Sequence, residues 1–227
     1  EYSPNNAIPY ISRVDAGTVE AVRALGIDVV SSGDLVQRFE AIWSADALQT
    51  HRAASEKLYR IKDRAFAFIR DGRKAGRRLT EIEVQRAMAG WGTEEGLVTD
   101  SPPVVGAQEN AGDPHYMPTD AKHRAIGDNE VVLLDLWGKL PAPGAVFADI
   151  TWVGFTGAQV PEPYVKTFNA ARDGRDAAIA FVKDRVAKGE EVRGFEVDRA
   201  CRAVVERAGF GAGFNHRTGH SLGTEVH

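Results

Sequence analysis

Apolar residues recur at helical spacing along much of the chain. Between about Ala45 and Arg70, Leu58, Ile61, Ala65, Phe68 and Ile69 fall on one face, which predicts a long amphipathic helix. The runs GTVEAVRALG (17–26) and EVDRACRAVVERAG (196–209) carry the same period and predict two further helices. Other stretches read as strands: IDVVSS (27–32), VVLLDLW (131–137) and VFADITWVGF (146–155), rich in Val, Ile, Phe, Thr and Trp. The last two flank the turn LPAPG (140–144) and predict a β-hairpin. The leading helix-then-strand unit, residues 1–44, is too small to enclose its own core and must pack on something else.

The pattern repeats. AFIRDGRKAGRRLTEIEVQRAM (67–88) aligns without gaps on AFVKDRVAKGEEVRGFEVDRAC (180–201) at a constant offset of 113, and 8 of the 22 positions are identical. Register kept across a glycine turn is more than two amphipathic helices share by chance. Each copy reads as long helix, glycine turn and second helix, followed by a Gly-, Val- and Thr-rich region suited to strands and closed by a histidine, His115 or His227. Two such helix-helix-strand halves predict an α+β fold with a pseudo-twofold axis and a site between the halves.

Composition narrows the function. A net charge of −4 argues against nucleic acid as a partner, and the one basic run, RDGRKAGRR (70–78), reads as a solvated helix end. The single cysteine, Cys201, excludes a disulfide framework and a zinc site built on paired cysteines; it sits in phase with a helical apolar face and reads as core. A reducing, cytoplasmic setting fits. No apolar stretch approaches the roughly 20 residues needed to span a bilayer.

Asp135 and Asp149 lie inside otherwise apolar strands, where a carboxylate is costly unless it is paired, hydrogen-bonded or bound to a cation. One such acid is most simply a turn cap; two on paired strands, with a histidine-rich segment elsewhere, favour a shared metal. Carboxylate and imidazole ligands without thiolate point to Mn, Co, Zn or Fe. In NHRTGHSLG, His216 and His220 have the HxxxH spacing of zinc peptidases, but Arg217 stands where those need Glu, and two glycines make a poor helix. A strand or loop facing one site fits better. His51 reads as riding a polar helix face and His123 as a turn residue, both structural.

LLDLWG, FADITWVGF and HRTGHSLGTEVH together resemble the catalytic domain of the pita-bread-fold metallopeptidases, closest to the Xaa-Pro aminopeptidase and prolidase branch and related to creatinase and methionine aminopeptidase. The resemblance implies a pita-bread catalytic domain over 45–227, with 1–44 the end of an N-terminal creatinase-like domain. It implies two divalent metal ions (Mn, Co or Zn) held by Asp135, Asp149 and His220. It implies that His115 and His227 assist carbonyl binding and proton transfer, and that His216 lines the substrate pocket. Two further glutamates complete the centre in that family, and Glu225 matches neither position, so the domain reads as incomplete at its C-terminus and inactive in isolation. The spacing of 14 between Asp135 and Asp149 exceeds the family's, with the extra residues in LPAPG, where they leave the strand register intact and alter the pocket rim.

The expected activity is hydrolysis of Xaa-Pro bonds in a peptide or dipeptide by a metal-activated water. A creatinase-like C–N hydrolase and a metal-free binding module on the same scaffold are the alternatives; retention of Asp135, Asp149 and His220 speaks against the first. Homodimers are common in the family, though no interface is identifiable in the sequence.

Overall fold

The computed structural model describes residues 1–226; His227 lies outside the described residues. The helices are α1 (Ala16–Ala24), α2 (Gly33–Glu40), α3 (Ala45–Lys74), α4 (Glu81–Glu94), α5 (Glu162–Ala187) and α6 (Gly194–Arg207). The strands β1 (Val104–Ala107), β2 (Val131–Gly138) and β3 (Ala148–Phe155) form one antiparallel sheet in that order.

Helix α3 follows its predicted stripe: Ala54, Leu58, Ile61, Ala65 and Ile69 are buried, and Phe68 packs at the margin of the same cluster. Ser44 caps its start by accepting from the Ala47 N–H. β2 alternates strictly, with Val132, Leu134 and Leu136 turned into the core under α3 and α4, and Leu133, Asp135 and Trp137 on the opposite face. The hairpin pairs Val131 with Phe155 through to Gly138 with Ala148, without a bulge, so the long LPAPG turn leaves the register intact as expected.

The repeat is borne out as paired helix-turn-helix units. α4 and α6 begin at Glu81 and Gly194 and end at Glu94 and Arg207, each pair 113 apart. Gly76 and Gly189 occupy matching turn positions with φ of 72° and 68°, a region that glycine enters without steric cost. At both second helices the third residue's carboxylate reaches back to the N-cap backbone, Glu83 to Thr80 N–H and Glu196 to Arg193 N–H. α5 and α6 approach closely at Gly174, where a Cβ would stand 2.9 Å from Val205 and 3.0 Å from the buried Cys201.

Two expectations fail, and one helix is unforeseen. IDVVSS forms no strand; Ile27 and Val30 are 54% and 75% exposed. A strand needs a partner ladder, and among the described residues this stretch has none; the exchange between Tyr2 and Ser32 and local bonds from Gly33 N–H and Val36 N–H hold it. α2, with Ser32 at its N-cap and Asp34 in its first turn, was hidden because its period spans only two turns. The segment after α6 also forms no strand through Val226. Side chains take several of its carbonyls instead: Arg202 donates to Phe214 O and His216 O, Trp43 Nε1–H to Leu222 O, and Lys139 Nζ to Thr224 O, while Gly223 O accepts from Phe147 N–H.

Candidate metal centre

Antiparallel pairing sets Asp135 opposite Thr151 and Trp137 opposite Asp149. Paired residues share a face, as do positions two apart, so Asp135 and Asp149 are diagonal neighbours on the face away from the helical core. Thr151 Oγ1–H donates to Asp135 Oδ1 at 2.7 Å, and Trp137 Nε1–H to Asp100 Oδ1 at 2.7 Å. Burial pushes the Asp149 carboxyl up to about 6, the Asp135 charge adds to the rise, and the His220 imidazole opposes it.

His220 comes to this face from the far end of the chain. Its Nε2 lies 3.5 Å from Asp149 Oδ2, and its Nδ1 lies 2.9 Å from Ser221 O. A carbonyl can only accept, so Nδ1 carries the hydrogen and Nε2 is the ring atom turned to the carboxylate. At that distance Nε2 and a carboxylate oxygen share either a proton or a cation. Ligands about 2.1 Å from one tetrahedral ion lie roughly 3.4 Å apart, which is the spacing seen. The donor set therefore fits a divalent metal. The enclosure is open: among the described residues no three His, Cys, Asp or Glu side chains converge on one point. The structure brings together Asp149 and His220, with Asp135 one register step away.

His115 and His216 form a second pair, exposed, with ring centroids 6.0 Å apart. The His115 N–H donates to Asp113, and His216 Nδ1 lies 3.2 Å from Arg217 O. Asp198 accepts from Thr218 N–H and Oγ1–H, fixing the backbone between His216 and His220, while Arg202 bridges Asp198 and the His216 carbonyl. His123 is a turn residue, its Nδ1 2.9 Å from Thr119 O.

His51 is not on a polar face. Its Nδ1 lies 2.7 Å from Phe147 O, and its ring packs on Trp43 with centroids 4.9 Å apart. The signal was in the period: positions 51, 54, 58, 61 and 65 are one helical stripe, and His51 heads it. A second group without a sequence signature is Glu81, fully buried at the first position of α4. It accepts from Ala107 N–H, Arg124 N–H, the Asn110 amide and Tyr116 O–H, and so ties β1 to the loop bearing His115.

Known proteins resemble the chain in sequence and in fold. Residues 49–227 match the model of metallopeptidase family M24. The "Probable dipeptidase PepE" of Mycobacterium tuberculosis is 28% identical over 207 residues, 90% of this chain and 50% of that protein. In three dimensions, the dipeptidase PepE of Mycobacterium ulcerans (TM-score 0.72, 24% identity) and a prolidase of Thermococcus sibiricus (TM-score 0.69, 21% identity) share the fold over 95% of this chain and 53% and 55% of theirs. The chain spans about half the length of the curated relatives it matches. With a mixed helix-and-sheet architecture of the pita-bread kind and a match over most of its length, the chain belongs to metallopeptidase family M24.

Proposed function

We propose that the chain supplies the first ligands of a two-metal centre in an exopeptidase that hydrolyses Xaa-Pro bonds, of the aminopeptidase P or prolidase type. The observation that carries this is the 3.5 Å contact between His220 Nε2 and Asp149 Oδ2, on the same sheet face as Asp135. In this reading Asp135, Asp149 and His220 hold divalent ions (Mn, Co or Zn), with further carboxylates completing the set. When bound, such ions lower the pKa of a water and stabilise the oxyanion formed on its attack. Asp149 and His220 would hold an ion at the sheet face that bears them; Thr151 holds the Asp135 carboxylate in place. His115 and His227 assist carbonyl binding and proton transfer, a task suited to imidazole near neutral pH, and His216 lines the substrate pocket. The dipeptidase name of the 28% identical relative favours short peptide substrates. Residues 1–44 belong in this reading to the end of an N-terminal domain and 45–227 to the catalytic domain.

The test is metal content and Xaa-Pro dipeptide hydrolysis, measured on this chain and on the chain lengthened to the span of its relatives. About two equivalents of metal and turnover in the lengthened protein, both lost in Asp149→Asn, are expected. A stable lengthened protein that binds no metal and cleaves nothing would replace this reading with a metal-free binding module.

A further inference from the structure

Two groups outside the ligand set tie together the segments that carry Asp149 and His220. Trp43, in the link between α2 and α3, donates Nε1–H to Leu222 O at 2.9 Å, two residues beyond His220. His51, on the first turns of α3, holds Phe147 O at 2.7 Å, two residues before Asp149. The two rings pack on each other, so the grips are coupled. Between them the segments meet directly: Phe147 N–H donates to Gly223 O at 2.9 Å. Thr50, beside His51, adds a bond from Val146 N–H. Each ligand is therefore within two residues of a backbone carbonyl fixed by one member of an indole–imidazole pair.

We infer that Trp43 and His51 are positioning residues, a clamp that sets the separation of Asp149 from His220. The inference rests on the metal-centre reading proposed above. Its physical basis is leverage. Among the described residues the segment after α6 has no ladder of its own, so its placement against β3 depends on these side-chain bonds and on the one backbone bond from Phe147 to Gly223. His51 must carry its hydrogen on Nδ1 to serve a carbonyl, and an asparagine amide reaches the same point, whereas leucine keeps the bulk and loses the donor. For Trp43, phenylalanine keeps a ring against His51 and loses the bond to Leu222.

The experiment takes as parent the chain lengthened to the span of its relatives and compares it with Trp43→Phe, His51→Leu and His51→Asn, using amide hydrogen exchange at Phe147 and Gly223 and titration with Co²⁺ alone, followed by its visible absorption. Loss of one hydrogen bond corresponds to about a fivefold effect. Trp43→Phe and His51→Leu should speed exchange at Phe147 and weaken Co²⁺ binding about fivefold, with exchange in β2 and α4 unchanged and His51→Asn close to the parent. Unchanged exchange at Phe147 and Gly223 overturns the clamp, and so does faster exchange with unaltered Co²⁺ affinity. If the parent chain binds no Co²⁺ while Trp43→Phe still frees Phe147, the metal reading falls and the clamp between the segments stands.

Discussion

Glu81→Gln is a sharp test of how the first half of the molecule holds the loop that bears His115. In the native protein Oε1 accepts from Ala107 N–H at 2.7 Å and the Asn110 amide at 2.9 Å, while Oε2 accepts from Arg124 N–H at 2.8 Å and Tyr116 O–H at 2.5 Å. The carboxylate is fully buried, and each bond to it has a charged acceptor. Glutamine turns one oxygen into an N–H₂ group that faces donors. Placed at the Oε1 position, it opposes Ala107 and Asn110; placed at Oε2, it can be met by a rotated Tyr116 hydroxyl but still opposes Arg124 N–H. At least one buried backbone donor is orphaned either way, and the remaining bonds lose their charge assistance. An orphaned buried donor costs about 1–3 kcal/mol, and bonds to charged groups about 1.5–3 kcal/mol each, so a loss of roughly 3 kcal/mol is expected. For a chain of this size that is about 6–12 °C in Tm. Tyr116→Phe, which removes one donor and orphans nothing, should cost about 1–2 kcal/mol. Thermal unfolding by circular dichroism reads both. A Glu81→Gln protein within about 0.5 kcal/mol of the parent, or less perturbed than Tyr116→Phe, would refute the hub assigned to Glu81.

Asp149→Asn removes a desolvated carboxyl beside Asp135; metal-free, it should melt no lower than the parent, while Co²⁺ affinity falls at least about a hundredfold if the acid is a ligand. Gly174→Ala pushes a methyl into Val205 and Cys201 and should destabilise by about 1–3 kcal/mol, with much of the loss recovered in Gly174→Ala/Cys201→Ala as measured by urea unfolding. Thr80→Ala deletes the N-cap of α4 at a cost of about 1 kcal/mol in thermal unfolding. The Thr80 N–H, with Arg77 beside it, holds the Glu83 carboxyl below its ordinary value, so its contribution is present above about pH 4.5 and fades as pH falls through the lowered value. The stability gap between Glu83→Gln and the parent should therefore narrow between pH 7 and pH 3.

Long-period features were legible in the sequence. The α3 stripe, the hairpin and the repeat rest on many positions that agree, and Asp135 and Asp149 stood out because each interrupts an apolar run. His220 was found through its motif, and its approach to Asp149 could not be read locally because 71 residues separate them. What escaped depended on partners distant in sequence. IDVVSS has strand composition without a neighbouring strand. His51 has polar neighbours, Thr50 and Arg52, which suggest a polar face, yet its phase with Ala54 and Leu58 points inward. Glu81 and Trp43 have no local pattern at all, since their donors and acceptors are 26 to 179 residues away.

The histidine segment after α6 owes its shape to side chains anchored in α6, in β2's turn and ahead of α3. None of those anchors stands in place until its own element has formed, and the contacts close loops of up to 179 residues. Each closure carries an entropic cost that grows with length, so the segment is ordered only after the scaffold has assembled. The geometry proposed to bind metal would then be the last part of the molecule to form during folding, and a chain stalled before that step would hold its helices and sheet while lacking the contact between Asp149 and His220.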